Sequence, residues 1–150
     1  MAGVRKLRSG TWQGWYQHYE GRVRAMVARI NERFANARHA PVVFKAAHHE
    51  RDEVYEYYRA SDLCFVSSLH DGMNLVAKEF VASRDDERGV LILSQFTGAA
   101  RELPEAIIVN PYDTDQCATA LHVALTMPAG EQRARMRLMR GLIKEFNVYR

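Results

Sequence analysis

Between Ser67 and Phe80 the chain reads Ser-Ser-Leu-His-Asp-Gly-Met-Asn-Leu-Val-Ala-Lys-Glu-Phe. Two acids, Asp71 and Glu79, bracket a glycine-led stretch whose later residues have helical character. If a helix begins near Asn74, the backbone N–H groups of Met73 to Val76 belong to its first turn and have no intrahelical acceptor. Such amides, backed by the helix dipole, form an anion site. Gly72 adds no Cβ that would block a ligand. Asp71 precedes the turn, and Glu79 lies one turn and a bit further in, where a carboxylate can accept hydrogen bonds from a sugar diol. The arrangement suits a nucleotide sugar, with phosphates at the helix end, a hexose against Asp71 and a ribose against Glu79. The same residue types also fit an ordinary loop-to-helix junction, with Asp71 as N-cap and Glu79 as a surface acid. The residues alone leave both readings open.

Other reactive side chains assemble less well. Ser67, Ser68, His70 and Asp71 contain the members of a nucleophilic triad. Neighbouring His70 and Asp71 project in different directions, however, and the chain has no Gly-x-Ser-x-Gly turn. His48, His49 and Glu50 are consecutive, and consecutive residues seldom chelate one metal ion. Cys64 and Cys117 are too few and too far apart for a disulfide framework or a four-cysteine zinc site. They fit a reducing, cytoplasmic setting.

The elements that must position the Asp71–Glu79 stretch follow from hydrophobic spacing. Trp12, Trp15, Tyr16, Tyr19, Val23, Met26, Val27, Ile30 and Phe34 recur at steps of three and four, predicting one long amphipathic helix from Thr11. Val42–Phe44, Leu63–Val66, Val90–Leu93 and Ala106–Val109 are continuously apolar, as strands buried on both faces of a parallel sheet are. Helical patterns separate the later runs, over Asp52–Ala60 and Asn74–Ser83. Asp113-Thr-Asp-Gln116 reads as a capping box opening another helix. Pro128 breaks that helix, and a last one carries Met136, Met139, Ile143 and Phe146 on one stripe. Arg84-Asp-Asp-Glu-Arg88 reads as a solvated turn. Strands alternating with helices predict an α/β fold, a Rossmann-like parallel sheet of about four strands. In such a sheet ligands bind beyond the carboxyl ends of the strands, which is where Asp71 falls.

Composition narrows the class. The chain has 150 residues, 47% hydrophobic and 26% charged, enough for one core and unlike a disordered chain. Twenty-one basic against eighteen acidic residues give a net charge of +3, too small to argue for nucleic acid. No apolar run approaches the roughly 20 residues of a membrane span. No membrane partner is expected either. Arg5, Lys6 and Arg8, in a tail over residues 1–11, read as a solvated end.

Asp71-Gly-Met-Asn-Leu-Val-Ala-Lys-Glu-Phe80 resembles the donor-site motif of the trehalose-6-phosphate synthases, the retaining glycosyltransferase family 20. Ile30-Asn31, Pro41, Tyr58-Arg-Ala-Ser-Asp62, Leu91-Ile-Leu-Ser-Gln-Phe-Thr-Gly-Ala-Ala100 and Ile108-Val-Asn-Pro-Tyr-Asp113 resemble family landmarks in family order. The likeness runs from about Trp12 to the end of the chain. It implies a GT-B architecture, of which residues 12–150 form most of the second, donor-binding domain. It also implies transfer of glucose from UDP-glucose to glucose 6-phosphate with retention, giving trehalose 6-phosphate. The catalytic-site acid would be Asp71, holding hydroxyls of the donor glucose. Amides of Gly72, Met73, Asn74 and Leu75 would bind the sugar and diphosphate, Glu79 the ribose, and Val76 would pack near the base. His49 stands in the loop that contacts uracil through main chain.

The family picture needs no metal and no further cofactor, and no Asp-x-Asp pair stands near a strand end. His70 departs from the arginine that many relatives carry before this aspartate. The strand with the family's diphosphate-clamping Arg and Lys has no counterpart before Trp12. The acceptor domain is likewise missing, so glucose 6-phosphate would be met through an N-terminal domain outside this sequence. The chain alone is therefore expected to be inactive and to be poorly stable or self-associating. Alternatives are a sister transferase with another acceptor, such as a glucosylglycerol-phosphate synthase, or a non-catalytic nucleotide-sugar-binding or regulatory module.

Overall fold

A computed structural model describes residues 11–36 and 38–145, with side chains from residue 17 onward. The tail cations Arg5, Lys6 and Arg8, the side chains of Trp12, Trp15 and Tyr16, and Phe146 lie outside the described residues. The chain divides into two compact units, Met1–His48 and His49–Arg150.

The first unit is built on α1, Thr11–Phe34, with the bounds its apolar spacing predicts. Val23, Val27 and Ile30 are half-buried, whereas Tyr19, Met26 and Phe34 are exposed. Asn31 holds the following segment by bonding the backbone of Val42 twice. Its Nδ2 donates to the carbonyl at 2.8 Å, and its Oδ1 accepts from the N–H at 3.0 Å. The Arg24 guanidinium sits over the Phe44 ring, 4.9 Å from its centroid. Val42–Phe44, expected as the first strand, is not a strand. Its backbone is pinned by a side-chain amide, and no β-ladder forms there.

The second unit carries α2 (Arg51–Ala60), β1 (Leu63–Val66), α3 (Leu75–Ser83), β2 (Val90–Ser94), α4 (Ala99–Glu102), β3 (Ile107–Val109), α5 (Thr114–Thr126) and α6 (Ala129–Glu145). The sheet is parallel in the order β1-β2-β3, three strands rather than about four. Cys64 aligns with Leu91, and Leu93 with Ile108. The central strand is buried throughout. Leu91 and Leu93 pack on one face with Phe80, Val81, Leu103, Met136 and Met139. Val90 and Ile92 pack on the other with Val109, Ala120, Ala124 and Met127. The two-residue period of a strand thus feeds two apolar layers, α3 and α6 on one side and α5 on the other. Among the described residues no helix is long and apolar enough to cross a membrane.

Two loops depart from their sequence reading. Asp113 caps α5 by accepting the Gln116 N–H at 2.9 Å, but Gln116 does not reach back to Asp113. Its Oε1 takes the Asn110 N–H at 2.6 Å, because the Asp113 N–H already bonds the Asn110 carbonyl. Arg84, read as part of a solvated turn, is only 4% exposed. Its Nη1 donates to the carbonyls of Tyr58, Arg59 and Ser61 at 2.7–2.8 Å. Its Nε and Nη2 grip Asp86.

Candidate functional site

The loop after β1 turns sharply at Asp71. The Asp71 Oδ1 accepts the N–H groups of Met73 (3.0 Å) and Asn74 (3.1 Å), and Oδ2 accepts the Asn74 side-chain amide at 3.0 Å. These bonds, that from Met73 foremost, hold the carboxyl below the usual carboxylate range. Two oxygens offer about four acceptor positions. Three are used inside the turn, so Asp71 is an ionised acceptor with one position left for an incoming donor group.

The helix N-cap is Asn74, not Asp71. It sits in the left-handed region at φ 70° and accepts the Ala77 N–H at 2.9 Å. Asn and Asp tolerate that region, and the side-chain oxygen replaces a carbonyl the helix lacks. The cap changes the inventory of donors expected from sequence. The Met73 and Asn74 amides are spent on Asp71. Those of Gly72, Leu75 and Val76 have no partner among the described residues. Leu75 and Val76 are the first two positions of α3, where the dipole's positive end lies. Met73, Leu75 and Val76 also expose apolar surface there. A Cβ built on Gly72 meets no protein atom within 4 Å, so the space beside it is open.

Glu79 is half-buried on the second turn of α3, and its carboxylate has no hydrogen-bond partner among the described residues. Its charge is felt at Arg51 and Tyr58, which places it on the α2 side of α3. Burial, and then this charge, push the Tyr58 hydroxyl up to about 12. His49 lies just before α2. Its Nδ1 is 3.0 Å from Glu53 Oε2, and Tyr57 donates to the same carboxylate at 2.6 Å. The His49 Nε2 is buried without a partner among the described residues.

Asp71 to Val76 and Glu79 therefore lie on one continuous loop and helix, and His49 belongs to the neighbouring helix start. His70 is exposed, as is Ser67. No catalytic bond joins Ser67, Ser68 and His70 among the described residues. Cys64 is half-buried, with burial raising its thiol to about 11. Among the described residues no three His, Cys, Asp or Glu side chains gather as a metal-ligand set.

The sequence pointed to a second loop beside the candidate site without showing its contacts. The segment after β2 is laced to Asp71–Met73 by Asp71 N–H to Phe96 O (3.1 Å), Gly98 N–H to Asp71 O (3.0 Å) and Ala99 N–H to Met73 O (2.8 Å). Its signal was Gly98-Ala-Ala100, which fits close approach of backbone to a ligand and a close strand-to-helix turn equally well.

A parallel α/β sheet with an amide-rich helix start at its carboxyl edge is the Rossmann-like design of nucleotide-binding domains. The model of glycosyltransferase family 20 matches residues 6–150, and the chain belongs to that family. It is 44% identical over 135 residues to a trehalose-6-phosphate synthase of Klebsiella pneumoniae, covering 89% of this chain and 28% of that protein. It superimposes with a TM-score of 0.86 and 44% identity on a UDP-forming alpha,alpha-trehalose-phosphate synthase from Burkholderia xenovorans in complex with glucose-6-phosphate. The match covers 89% of this chain and 30% of that one. A structure from E. coli bound with UDP-2-fluoro glucose gives a TM-score of 0.85 at 42% identity, over 88% and 30% of the two chains. The fold is thus part of a GT-B glycosyltransferase, and the chain spans under a third of the length of these relatives.

Proposed function

We propose that this chain is the donor-binding part of a retaining glycosyltransferase that moves glucose from UDP-glucose to glucose 6-phosphate. The relatives support the substrates, since one solved structure holds a fluorinated UDP-glucose and another glucose 6-phosphate. The observation that carries the reading is the division of hydrogen-bonding groups along one loop and helix. Asp71 keeps one open acceptor position, Gly72, Leu75 and Val76 keep their amides, and Glu79 keeps its whole carboxylate. A sugar hydroxyl, a diphosphate and a ribose diol need those three kinds of partner in that order.

In this reading Asp71 holds the hexose and the Leu75 and Val76 amides meet the diphosphate. Glu79 accepts from the ribose, and the His49 loop borders the base. As the glycosidic bond breaks, negative charge grows on the departing UDP. Amides already aimed at it stabilise that charge without reorganising. Met73 and Asn74 contribute by fixing Asp71 rather than by touching phosphate. The acceptor is met by a domain outside this sequence, and retention follows from attack on the face the leaving phosphate vacates. No metal is assigned a role.

The test is a calorimetric titration of the 150-residue chain with UDP-glucose, repeated with Glu79→Ala. Losing an acceptor of two ribose hydrogen bonds weakens binding by about 2 kcal/mol. Equal affinity in the variant rejects the assignment of Glu79. Absence of binding in the unaltered chain rejects the donor-site reading for this chain.

A further inference from the structure

Gly98 is the residue at which the two site loops meet. Its φ of −60° and ψ of −36° are ordinary right-handed values, so nothing in its own conformation asks for glycine. The demand is for space. A Cβ built there would overlap the Gly72 carbonyl oxygen, and would lie 2.9 Å from the Gly72 carbonyl carbon and 3.3 Å from Met73 Cα. All three are backbone atoms, which cannot swing aside as a side-chain tip can.

The obstructed carbonyl belongs to the peptide that joins Gly72 to Met73. A peptide is planar, so displacing its oxygen tilts the N–H on its other side. That N–H is the one Met73 donates to Asp71 Oδ1 at 3.0 Å. Bonds from Gly98 N–H to Asp71 O and from Ala99 N–H to Met73 O hold the peptides on either side of it.

We propose that Gly98 is a positioning residue for the donor's hexose: its missing side chain lets the β2–α4 loop close on Gly72 and so fixes the Asp71 carboxylate. This rests on the donor-site reading above. It deepens that reading by separating hexose recognition from nucleotide recognition. The Leu75 and Val76 amides and Glu79 lie beyond the Asn74 cap, whose bond to Ala77 does not pass through the 72–73 peptide. Asn74 ties Asp71 to α3 through its Nδ2, but it caps the helix through Oδ1, whose bond is independent of the displaced peptide, so a side chain at 98 acts first on Asp71 and less on the nucleotide contacts.

The experiment measures Kd for UDP-glucose and for UDP, on the unaltered chain and on Gly98→Ala, with thermal unfolding of both. UDP-glucose affinity falls about tenfold or more, the loss expected for a charged hydrogen-bond partner put out of place, while UDP affinity stays within about twofold. An equal fall for both ligands, or no fall for either, overturns the proposal. Hydrogen exchange on the unaltered chain supplies a readout that does not depend on the variant folding. UDP-glucose slows exchange at Asp71, Gly98 and Ala99 together, and more than UDP does. Equal effects of the two ligands on those amides overturn the proposal. Failure of the unaltered chain to bind UDP-glucose overturns the donor-site reading and this inference together. Binding that Gly98→Ala leaves indifferent to the hexose overturns this inference alone.

Discussion

Asn74 holds Asp71 and α3 at the same time: its Nδ2 donates to Asp71 Oδ2 at 3.0 Å while its Oδ1 accepts the Ala77 N–H at 2.9 Å. A helix cap and an acidic turn therefore share one side chain. Asn74→Ala removes both bonds and forces a Cβ residue without a compensating polar group to keep φ near 70°. We expect a loss of about 1–2 kcal/mol in urea-induced unfolding. Asn74→Gly accepts that φ freely, so its loss is smaller than that of Asn74→Ala. The reverse order would show that the cap does not carry the junction.

Gly72 separates stability from binding. Its would-be Cβ meets no protein atom, and its φ is not in the left-handed region. Gly72→Ala therefore changes folding stability by no more than about 0.5 kcal/mol. The methyl group nevertheless enters the space assigned to the donor, so UDP-glucose binding weakens clearly in calorimetry. A variant that binds normally would mean that the ligand does not pass this residue.

Arg84 is the strongest structural prediction. Replacing it by Met keeps length and apolar stem but takes the guanidinium from three carbonyls of the α2 terminus and from Asp86. Among the described residues this leaves Tyr58 O only the Ser61 hydroxyl and Asp86 only the Arg88 N–H. We expect destabilisation on the order of 3 kcal/mol or more by chemical denaturation. Arg84→Lys recovers only part of this, because an ammonium cannot serve the carbonyls and a bidentate carboxylate together.

Tyr58 reports on Glu79 without any ligand. Its folded pKa of about 12, raised by burial and then by Glu79, exceeds the ordinary tyrosine value of about 10. A raised folded pKa favours the neutral form. That contribution is complete below about pH 10 and is lost as pH rises through about 12. Alkaline unfolding followed by tyrosinate absorbance should show this loss. Glu79→Gln removes the nearby charge and lowers the Tyr58 value, with burial keeping it above 10. An unchanged value would mean that Glu79 points away from α2.

Much of the fold was legible because burial leaves a period. The apolar steps of α1 gave its bounds, and Leu63–Val66 and Val90–Leu93 were readable as doubly buried runs. Val42–Phe44 carries the same composition, but pairing depends on a neighbour strand and not on composition. Asp71, Gly72 and Glu79, the candidate site residues, were legible as an acid-flanked, glycine-led helix start, and they do stand on one loop and helix. What escaped was contact between segments distant in sequence. A charged run gives no hint that Arg84 turns inward to the end of α2. Nothing in Gln-Phe-Thr-Gly98 tells that its glycine lies on Gly72. Asn74 was taken for one amide donor among several because left-handed backbone cannot be seen in residue type alone.

The arginines behind α3 have an electrical consequence. Arg140 donates to the carbonyls of Val81 and Ala82, and Arg59 to that of Ser83, so the last carbonyls of α3 are met by guanidinium groups, Arg59 being itself paired with Asp85. The negative pole of α3 is thereby quenched, whereas its positive pole at Leu75 keeps bare amides. The helix behaves less like a balanced dipole than like a single positive terminal at Leu75. On the proposed reading, part of the attraction for a diphosphate would thus originate on the scaffold's far side, away from any atom the ligand touches.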